Sequence, residues 1–185
     1  MSEDTDPTVL VVDDEPNITA LFETWLADDY RVVTANDGSE ALERVDDGVD
    51  VALLDRRMPG RSGDDVLSAI RDGGYDVRVA MVTAVEPDLD VVEMPFDDYL
   101  TKPVDREDLE SVVRELLARK QYEEDVQEYY SLAATKAALE SSRPTAELVE
   151  TPEYEALIDD LETLETTVDE RLAETDDYVS AFMDL

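Results

Sequence analysis

The sequence predicts an α/β fold built on a parallel β-sheet with helices on both faces, followed by a segment that is entirely helical. Short, continuously apolar runs alternate with stretches whose apolar residues recur every three or four positions. That alternation is typical of a parallel sheet covered on both sides. The last glycine is Gly74, and no strand-like run appears after about residue 122. Only helices are therefore expected in the last third of the chain.

Strands are predicted where apolar or β-branched residues run without interruption, and helices where apolar residues recur at helical spacing. The strand-like runs are Thr8–Val12, Tyr30–Ala35, Val51–Leu54, Val77–Val82 and Tyr99–Thr101. The helical stripes are Pro16–Leu26, then Ala41, Leu42 and Val45, then Val66, Leu67 and Ile70, and finally Leu109–Leu117. Most of these strands are apolar throughout, which favours burial on both faces of the sheet.

One stretch breaks the alternation. A helix is expected between Thr83 and Tyr99, but Pro87 and Pro95 both fall in this interval. Proline removes a backbone donor and disfavours the helical conformation of the residue before it. We therefore expect no more than one or two helical turns between Glu86 and Pro95.

The C-terminal segment predicts two long helices. An apolar stripe continues to about Leu139, and Ser141–Pro144 interrupts it. Thr151–Glu153 is a strong helix start, with a capping hydroxyl and proline at the first helical position. Apolar residues then recur for about two heptads at Tyr154, Leu157, Leu161, Leu164 and Val168, with Leu172 nearby. A helical hairpin folding on itself or pairing with a second copy fits this pattern, and a seam this short more often packs within one chain.

The charge is extreme, with 50 acidic residues against 15 basic ones and a net charge of −35. The acids are spread along the whole chain, and only three residues are lysine. A cytoplasm with very high salt accounts for this composition better than a surface that mimics or repels nucleic acid. The composition also argues against direct DNA binding, which needs a basic face.

The sequence excludes several kinds of chemistry and location. It contains no cysteine and no histidine, so disulfides, zinc sites and imidazole catalysis are excluded. The sequence contains no run of 18 apolar residues, so no membrane span is predicted. The acidic, polar start Met1–Pro7 is unlike a secretory signal. We therefore expect a cytoplasmic protein.

Polar side chains follow four of the predicted strands: Asp13 and Asp14, Asp55, Thr83, and Lys102. The carboxyl ends of parallel strands share one edge of a sheet, where ligands usually bind. Three carboxylates at one edge repel each other unless a cation lies among them, and oxygen ligands select Mg²⁺ or Mn²⁺. Together with a lysine and a hydroxyl, they provide what is needed to form an acyl phosphate.

These residues resemble the receiver domain of two-component response regulators over roughly residues 8–120. The matching features, in order, are Asp13-Asp14-Glu15, Asp55 followed by Met58-Pro59 and Gly63, Thr83-Ala84, Tyr99, and Lys102-Pro103. The resemblance implies a doubly wound, five-stranded parallel sheet. It also implies a phosphoacceptor switch rather than an enzyme, with a sensor histidine kinase as its partner.

The resemblance assigns a role to each residue of the metal site. Asp55 accepts the phosphoryl group. Asp14 and Asp55 bind Mg²⁺ through their carboxylates, and the backbone carbonyl of Arg57 is the third protein ligand. Asp13 acts largely through a metal-bound water.

Three further positions have roles in binding and readout of the phosphoryl group. Lys102 and Thr83 bind phosphoryl oxygens. Tyr99 rotates inward as Thr83 moves. The family has its fourth helix where this chain has the proline-interrupted stretch 86–95, which puts an output surface built on that helix in doubt.

Residues 122–185 resemble the HalX domain found behind receivers in haloarchaea. The matching segments are Tyr129–Leu132, Lys136–Glu140 and Tyr154–Leu157. The resemblance brings no established activity. This segment has three basic residues against nineteen acidic ones, so we expect it to bind an unknown downstream protein or to form a homodimer rather than to contact DNA.

Two other functions remain open from the sequence. One is a hydrolase with an aspartyl nucleophile, like the haloacid-dehalogenase-type phosphatases. Those need an Asp-x-Asp after the first strand, whereas here adjacent aspartates are followed by Glu15-Pro16. The other is a transcription regulator that contacts DNA through residues 122–185.

Overall fold

A computed structural model describes the backbone of residues 6–183 and the side chains of residues 6–173. The chain divides into two compact units, residues 1–118 and 119–185. The division falls inside a single long helix. Each unit is described by itself below.

The first unit contains five strands and the helices between them. The strands are β1 (Thr8–Val12), β2 (Arg31–Ala35), β3 (Val51–Leu54), β4 (Arg78–Thr83) and β5 (Asp98–Thr101). The helices are α1 (Pro16–Leu26), α2 (Gly38–Arg44), α3 (Gly63–Asp72) and the start of α4 (Arg106–Ser142). The predicted elements are all present, with strand ends shifted by a single residue at β2, β4 and β5.

The sheet has the strand order β2-β1-β3-β4-β5, and every neighbouring pair is parallel. Val12 at the end of β1 pairs with Ala35 of β2 and with Leu54 of β3. The carboxyl ends of these three strands are therefore level with one another. This confirms the predicted doubly wound parallel sheet and brings the predicted site residues to one edge.

Alternate side chains of the strands enter two separate cores. Leu10, Leu54 and Met81 pack on one face with residues of α2 and α3 such as Ala41 and Leu67. Val11, Leu53 and Val82 pack on the other face with Phe22 of α1 and Leu116 of α4. This arrangement explains why the central strands β1, β3 and β4 are almost continuously apolar instead of alternating with polar residues.

The stretch between β4 and β5 contains only a 3-10 turn, Leu89–Glu93. The prediction of no more than one or two helical turns is confirmed. Asp88 caps the turn, because its side chain accepts a hydrogen bond from the Leu89 amide. Met94, Phe96 and Tyr99 nevertheless pack against the core, so the stretch still covers part of the sheet.

The helix α4 continues from Arg106 to Ser142 without interruption. Neither glycine nor proline occurs in this range, so nothing in the sequence stops the helix near residue 122. The predicted break is present, since α4 ends at Ser142 and a short helix, α5 (Thr145–Leu148), follows. The last helix, α6 (Pro152–Met183), begins at the predicted proline.

Over the described residues 119–183, α4 and α6 form a helical hairpin within one chain, as the first of the two predicted arrangements has it. Pairing with a second copy stays a prediction. Leu148, Tyr154, Leu157 and Leu161 are buried against Tyr129, Leu132, Ala133, Leu139 and Ile158. Among the described side chains, polar contacts between α4 and α6 include the Tyr154 hydroxyl, which donates to Glu140 at 2.7 Å, and Arg171, which pairs with the buried Asp125 at 2.9 Å.

Over the residues that the structure describes, no helix combines the length and the apolar character needed to cross a membrane.

Candidate functional site

The predicted site residues meet at the carboxyl edge of the sheet because backbone hydrogen bonds hold the strand ends in register. The Asp55 amide donates to the Val12 carbonyl at 2.9 Å, and the Lys102 amide donates to the Thr83 carbonyl at 2.8 Å. Asp55 therefore lies directly beside the end of β1, and Lys102 beside the end of β4.

Three carboxylates converge at this edge. Asp13, Asp14 and Asp55 each place an oxygen within 4.8 Å of the others. Asp13 is 2% exposed and Asp55 is 8% exposed, whereas Asp14 is open to solvent. Hard oxygen ligands with one open side fit Mg²⁺, which keeps several waters and takes few protein carboxylates. The donor set therefore fits the predicted ion.

Lys102 provides a positive charge at the carboxylate cluster. Its ammonium group forms an ion pair with Asp13 and lies 3.8 Å from Asp55. The peptide bond between Lys102 and Pro103 is cis. One lysine against three carboxylates leaves the site negative, which favours binding of a further cation.

The environment raises the pKa of Asp55. Burial of its carboxyl group is the largest cause, and the negative charge of Asp13 acts in the same direction. The Thr83 hydroxyl, the Lys102 ammonium group and the backbone amide of Arg57 oppose these effects. The structure thus places Thr83, Lys102 and Arg57 around Asp55. Metal binding by the Arg57 carbonyl stays a prediction.

Thr83 and Tyr99 are connected through one residue, Val85. The Val85 amide donates to the Thr83 hydroxyl oxygen at 3.3 Å, and its carbonyl accepts a hydrogen bond from the Tyr99 hydroxyl at 2.6 Å. The Tyr99 ring packs against Phe96, with 5.5 Å between ring centroids. The rotation of Tyr99 stays a prediction. The hydrogen bonds through Val85 connect Tyr99 to Thr83, whose movement is expected to cause it.

The loop behind Asp55 is fixed by the close approach of Gly63. A Cβ atom at Gly63 would lie 2.2 Å from the carbonyl oxygen of Asp55. Only glycine fits at this position without moving the Asp55 backbone. Ser62 and Asp65 form a capping box at the start of α3, which fixes the other end of the loop. Gly63 is one of the residues that resemble the receiver domain, and this close approach is the physical reason for a glycine there.

Arg56 is a residue whose role the sequence did not resolve. In the sequence, Arg56, Arg57 and Arg61 form a small basic cluster beside Asp55. That cluster fits either steering of phosphate or a kinase, or a solvated loop that balances Asp64 and Asp65. In the structure the Arg56 guanidinium group pairs with Asp64 at 3.1 Å and with Asp90 of the 3-10 turn. The contact with Asp90 spans 34 positions, so sequence spacing carried no signal for it.

A cavity of about 500 Å³ opens over the carboxylates. Its lining includes Asp14, Asp55, Arg57, Thr83 and Lys102. The phosphoacceptor candidate and the two groups predicted to bind phosphoryl oxygens therefore border one solvent-filled space.

Two family models match the chain. The model described as "Response regulator receiver domain" matches residues 9–114, and the "HalX domain" model matches residues 118–182. Both predicted resemblances are confirmed.

Relatives and solved structures agree with these matches. A "Putative transcriptional regulator" of Haloferax volcanii is 53% identical over 152 residues, which is 82% of this chain and 25% of the relative. The transcriptional regulatory protein CpxR of Escherichia coli is 37% identical over 123 residues, 64% of this chain and 53% of CpxR. The chain thus spans a quarter to about half of these relatives.

A solved structure of the response regulator protein TrrA from Thermotoga maritima, in complex with Mg²⁺-BeF, matches with a TM-score of 0.52 and 33% identity. The match covers 60% of this chain and 99% of TrrA. It extends the similarity to the three-dimensional arrangement of the receiver.

Proposed function

The chain belongs to the response regulator receiver domain family, and from this premise we propose that Asp55 accepts a phosphoryl group from a sensor histidine kinase. Residues 8–120 are the phosphoacceptor domain, and residues 122–185 carry the output. The observation that carries the proposal is the convergence of Asp13 and Asp14 with Asp55 beside Lys102. In this assignment the acyl phosphate at Asp55 is the signal.

The transfer is a displacement at phosphorus. A carboxylate oxygen of Asp55 attacks the phosphorus of a phosphohistidine, and a new P–O bond forms. The P–N bond breaks, and its electron pair returns to the imidazole nitrogen. None of these 185 residues is a histidine, so the donor imidazole lies outside them.

The carboxylates of Asp14 and Asp55 and the backbone carbonyl of Arg57 would hold Mg²⁺, and Asp13 would act through a water. The support is the close set of carboxylate oxygens and the Mg²⁺-BeF complex of TrrA. The ion supplies positive charge that offsets the charge of the transferring group.

Lys102 and Thr83 hold the phosphoryl oxygens. The Lys102 ammonium group already lies 3.8 Å from the Asp55 carboxylate. When the Thr83 hydroxyl turns toward the phosphoryl group, the Val85 amide loses its acceptor. Tyr99, which donates to the Val85 carbonyl, then moves inward with this backbone.

The protein is a switch rather than an enzyme, and it acts in the cytoplasm. Its output is binding to a downstream protein or formation of a homodimer, because the acidic segment 122–185 is repelled by the DNA phosphates. The relatives named transcriptional regulators are longer than this chain. A gel shift with the full chain at several salt concentrations would overturn this output assignment if it showed DNA binding.

Beryllofluoride binding tests the phosphoacceptor directly. We expect ¹⁹F NMR to show a saturable signal from bound beryllofluoride that requires Mg²⁺. A phosphoramidate donor should add one phosphoryl group, measured by intact mass. Both signals should be lost in Asp55→Asn and retained in Asp72→Asn, which neutralises an exposed aspartate at the end of α3.

The assignment of Asp55 would be contradicted if both variants kept the signals, or if both variants lost them. Steady turnover of a small phosphate ester would instead favour the aspartyl hydrolase.

A further inference from the structure

The 3-10 turn Leu89–Glu93 lies where the alternation of the fold predicts a helix. Two of its side chains are the most exposed large hydrophobic groups among the described side chains: Leu89 is 83% exposed and Val92 is 76% exposed. The backbone bonds that close this turn are Val91 to Asp88 and Met94 to Val91, each 3.1 Å. A turn this short has little stability of its own. Contacts with the rest of the domain must therefore hold it in place.

Side chains anchor the stretch at three points. At its start, the Val85 carbonyl accepts the hydrogen bond from Tyr99. At its end, Arg71 donates to the Pro95 carbonyl at 2.9 Å and pairs with Asp97 at 2.8 Å. In the middle, Asp90 pairs with Arg56.

The middle anchor is the one that connects the turn to the phosphoacceptor loop. Arg56 directly follows Asp55, and its side chain is only 12% exposed. Its guanidinium group also binds Asp64 of α3 through three N–O contacts of 3.1 to 3.2 Å. Arg56 is thus fixed on the α3 side and reaches across to the turn.

A second cavity, of about 960 Å³, lies on this side of the site. Asp14, Arg56 and Asp64 line it, and so do Asp88 and Asp90 at the turn. Negative charge added at the carboxylate cluster would act on this cavity in two ways. It would attract Arg56 and repel Asp90, and both effects weaken the pair between them.

We propose that Arg56 is a positioning residue for the readout: through its ion pair with Asp90 it couples the charge at Asp55 to the turn that presents Leu89 and Val92. Phosphorylation weakens the pair and loosens the turn. This inference rests on the proposed phosphoacceptor function. It adds a second connection, which meets the path through Thr83, Val85 and Tyr99 at Tyr99, because the Arg56 guanidinium group also interacts with the Tyr99 hydroxyl.

Two measurements test the coupling in the full chain, with Mg²⁺ present throughout and beryllofluoride as the probe. The first is amide hydrogen exchange of Val91 and Met94 by NMR. Beryllofluoride should accelerate this exchange about two- to fivefold in the wild type, the change expected for an ion pair with one exposed partner. In Asp90→Asn the exchange should be fast without the probe and should not change further.

The second measurement is the affinity for beryllofluoride, which a purely structural role of the pair would not increase. Coupling is reciprocal. If binding costs the free energy of the Arg56–Asp90 pair, Asp90→Asn should bind the probe more tightly by the same factor of about two to five. Asp90→Glu keeps the carboxylate and should restore the wild-type affinity and exchange.

Glu93→Gln is the matched control, because it removes one negative charge from the same exposed turn. It should retain the exchange response and most of the wild-type affinity. Suppose that the wild type binds beryllofluoride and that Asp90→Asn behaves like Glu93→Gln in both measurements. This result would overturn the proposed role of Arg56 but not the phosphoacceptor function. Absence of binding in the wild type would overturn the proposed function and this inference with it.

Discussion

At the residue scale, Asp55 combines a functional requirement with an electrostatic cost. Burial and the charge of Asp13 raise the pKa of its carboxyl group above 3.8. The folded protein therefore binds a proton at Asp55 more tightly than the unfolded chain does. The stabilising effect of this proton is complete below the unfolded pKa and is lost as the pH rises through the folded pKa. At neutral pH, without metal, ionised Asp55 destabilises the fold.

Asp55→Asn should consequently stabilise the metal-free protein at pH 7 by about 1 kcal/mol, a typical size for a single-site effect. Thermal unfolding in the presence of a chelator measures it. The gain over the wild type should shrink as the pH falls toward 3.8, the ordinary pKa of the group. Added Mg²⁺ should stabilise the wild type more than the variant. A gain that is equally large in Asp72→Asn would contradict this explanation.

Gly63 is the second residue whose chemistry is dictated by the site. Gly63→Ala would press a methyl group against the Asp55 carbonyl, and the contact is with backbone, which cannot rotate away. We expect a loss of about 1–3 kcal/mol in stability, the range for overpacking. We also expect weaker beryllofluoride binding, because the Asp55 backbone must shift.

Gly48→Ala is the control for this substitution. The only close atom there belongs to the Asp46 side chain, at 3.1 Å, which can move aside. Unchanged beryllofluoride affinity in Gly63→Ala would show that the close packing of Gly63 does not position Asp55.

At the scale of elements, continuous apolar runs predicted the central strands β1, β3 and β4, because the sheet is buried on both faces there. The edge strands β2 and β5 contain polar residues and are only partly buried, so their apolar signal was weaker. Proline chemistry predicted that 86–95 could not form a full helix. Two features escaped prediction. The sequence left the continuity of α4 open. Leu117 packs against the core of the first unit and Tyr129 against the core of the second, and no glycine or proline between them ends the helix. The helix α5 has only four residues, too few for a periodic signal.

We expect the ion pair between Asp125 and Arg171 to help fix the register of the α4–α6 hairpin. Asp125 is 8% exposed, and the pair joins residues 46 positions apart along the chain. A double-mutant cycle with Asp125→Asn and Arg171→Gln should give a coupling energy of about 1 kcal/mol. Unfolding must be followed by hydrogen exchange within residues 119–173, because two units need not unfold together.

The pair Lys136–Glu140 serves as the comparison for this cycle. It lies one helical turn apart on α4, is more exposed and has a longer N–O distance of 3.8 Å. Its coupling should not exceed about 0.5 kcal/mol. Equal coupling in the two cycles would mean that Asp125 is not a register-setting residue.

At the scale of the whole molecule, the sequence predicted which residues lie at the carboxyl edge of the sheet. It did not predict the side-chain contacts across that edge. Asp13, Asp14, Asp55, Thr83 and Lys102 could be placed together because parallel strands end at a common edge. The links from Arg56 to Asp90 and from Tyr99 to Val85 join loops. Their geometry depends on how each loop packs, which neither periodicity nor spacing encodes.

The net charge of −35 makes salt a determinant of stability for the entire chain. Repulsion among 50 acidic residues acts over the Debye length, which falls from about 10 Å at 0.1 M salt to about 3 Å at 1 M. We expect the melting temperature to rise steeply with KCl over this interval and to level off above it. The rise should appear in residues 119–185 as well, because that unit is also strongly acidic.

Sodium sulfate distinguishes screening from the general strengthening of apolar burial. If screening dominates, melting temperatures in KCl and in sodium sulfate should coincide when they are plotted against ionic strength. Sulfate is excluded from protein surfaces and strengthens burial beyond its ionic strength. Higher melting temperatures in sulfate, together with a continued rise in KCl above 1 M, would therefore contradict screening. The acidic surface would then be stabilised through hydration rather than through relief of repulsion.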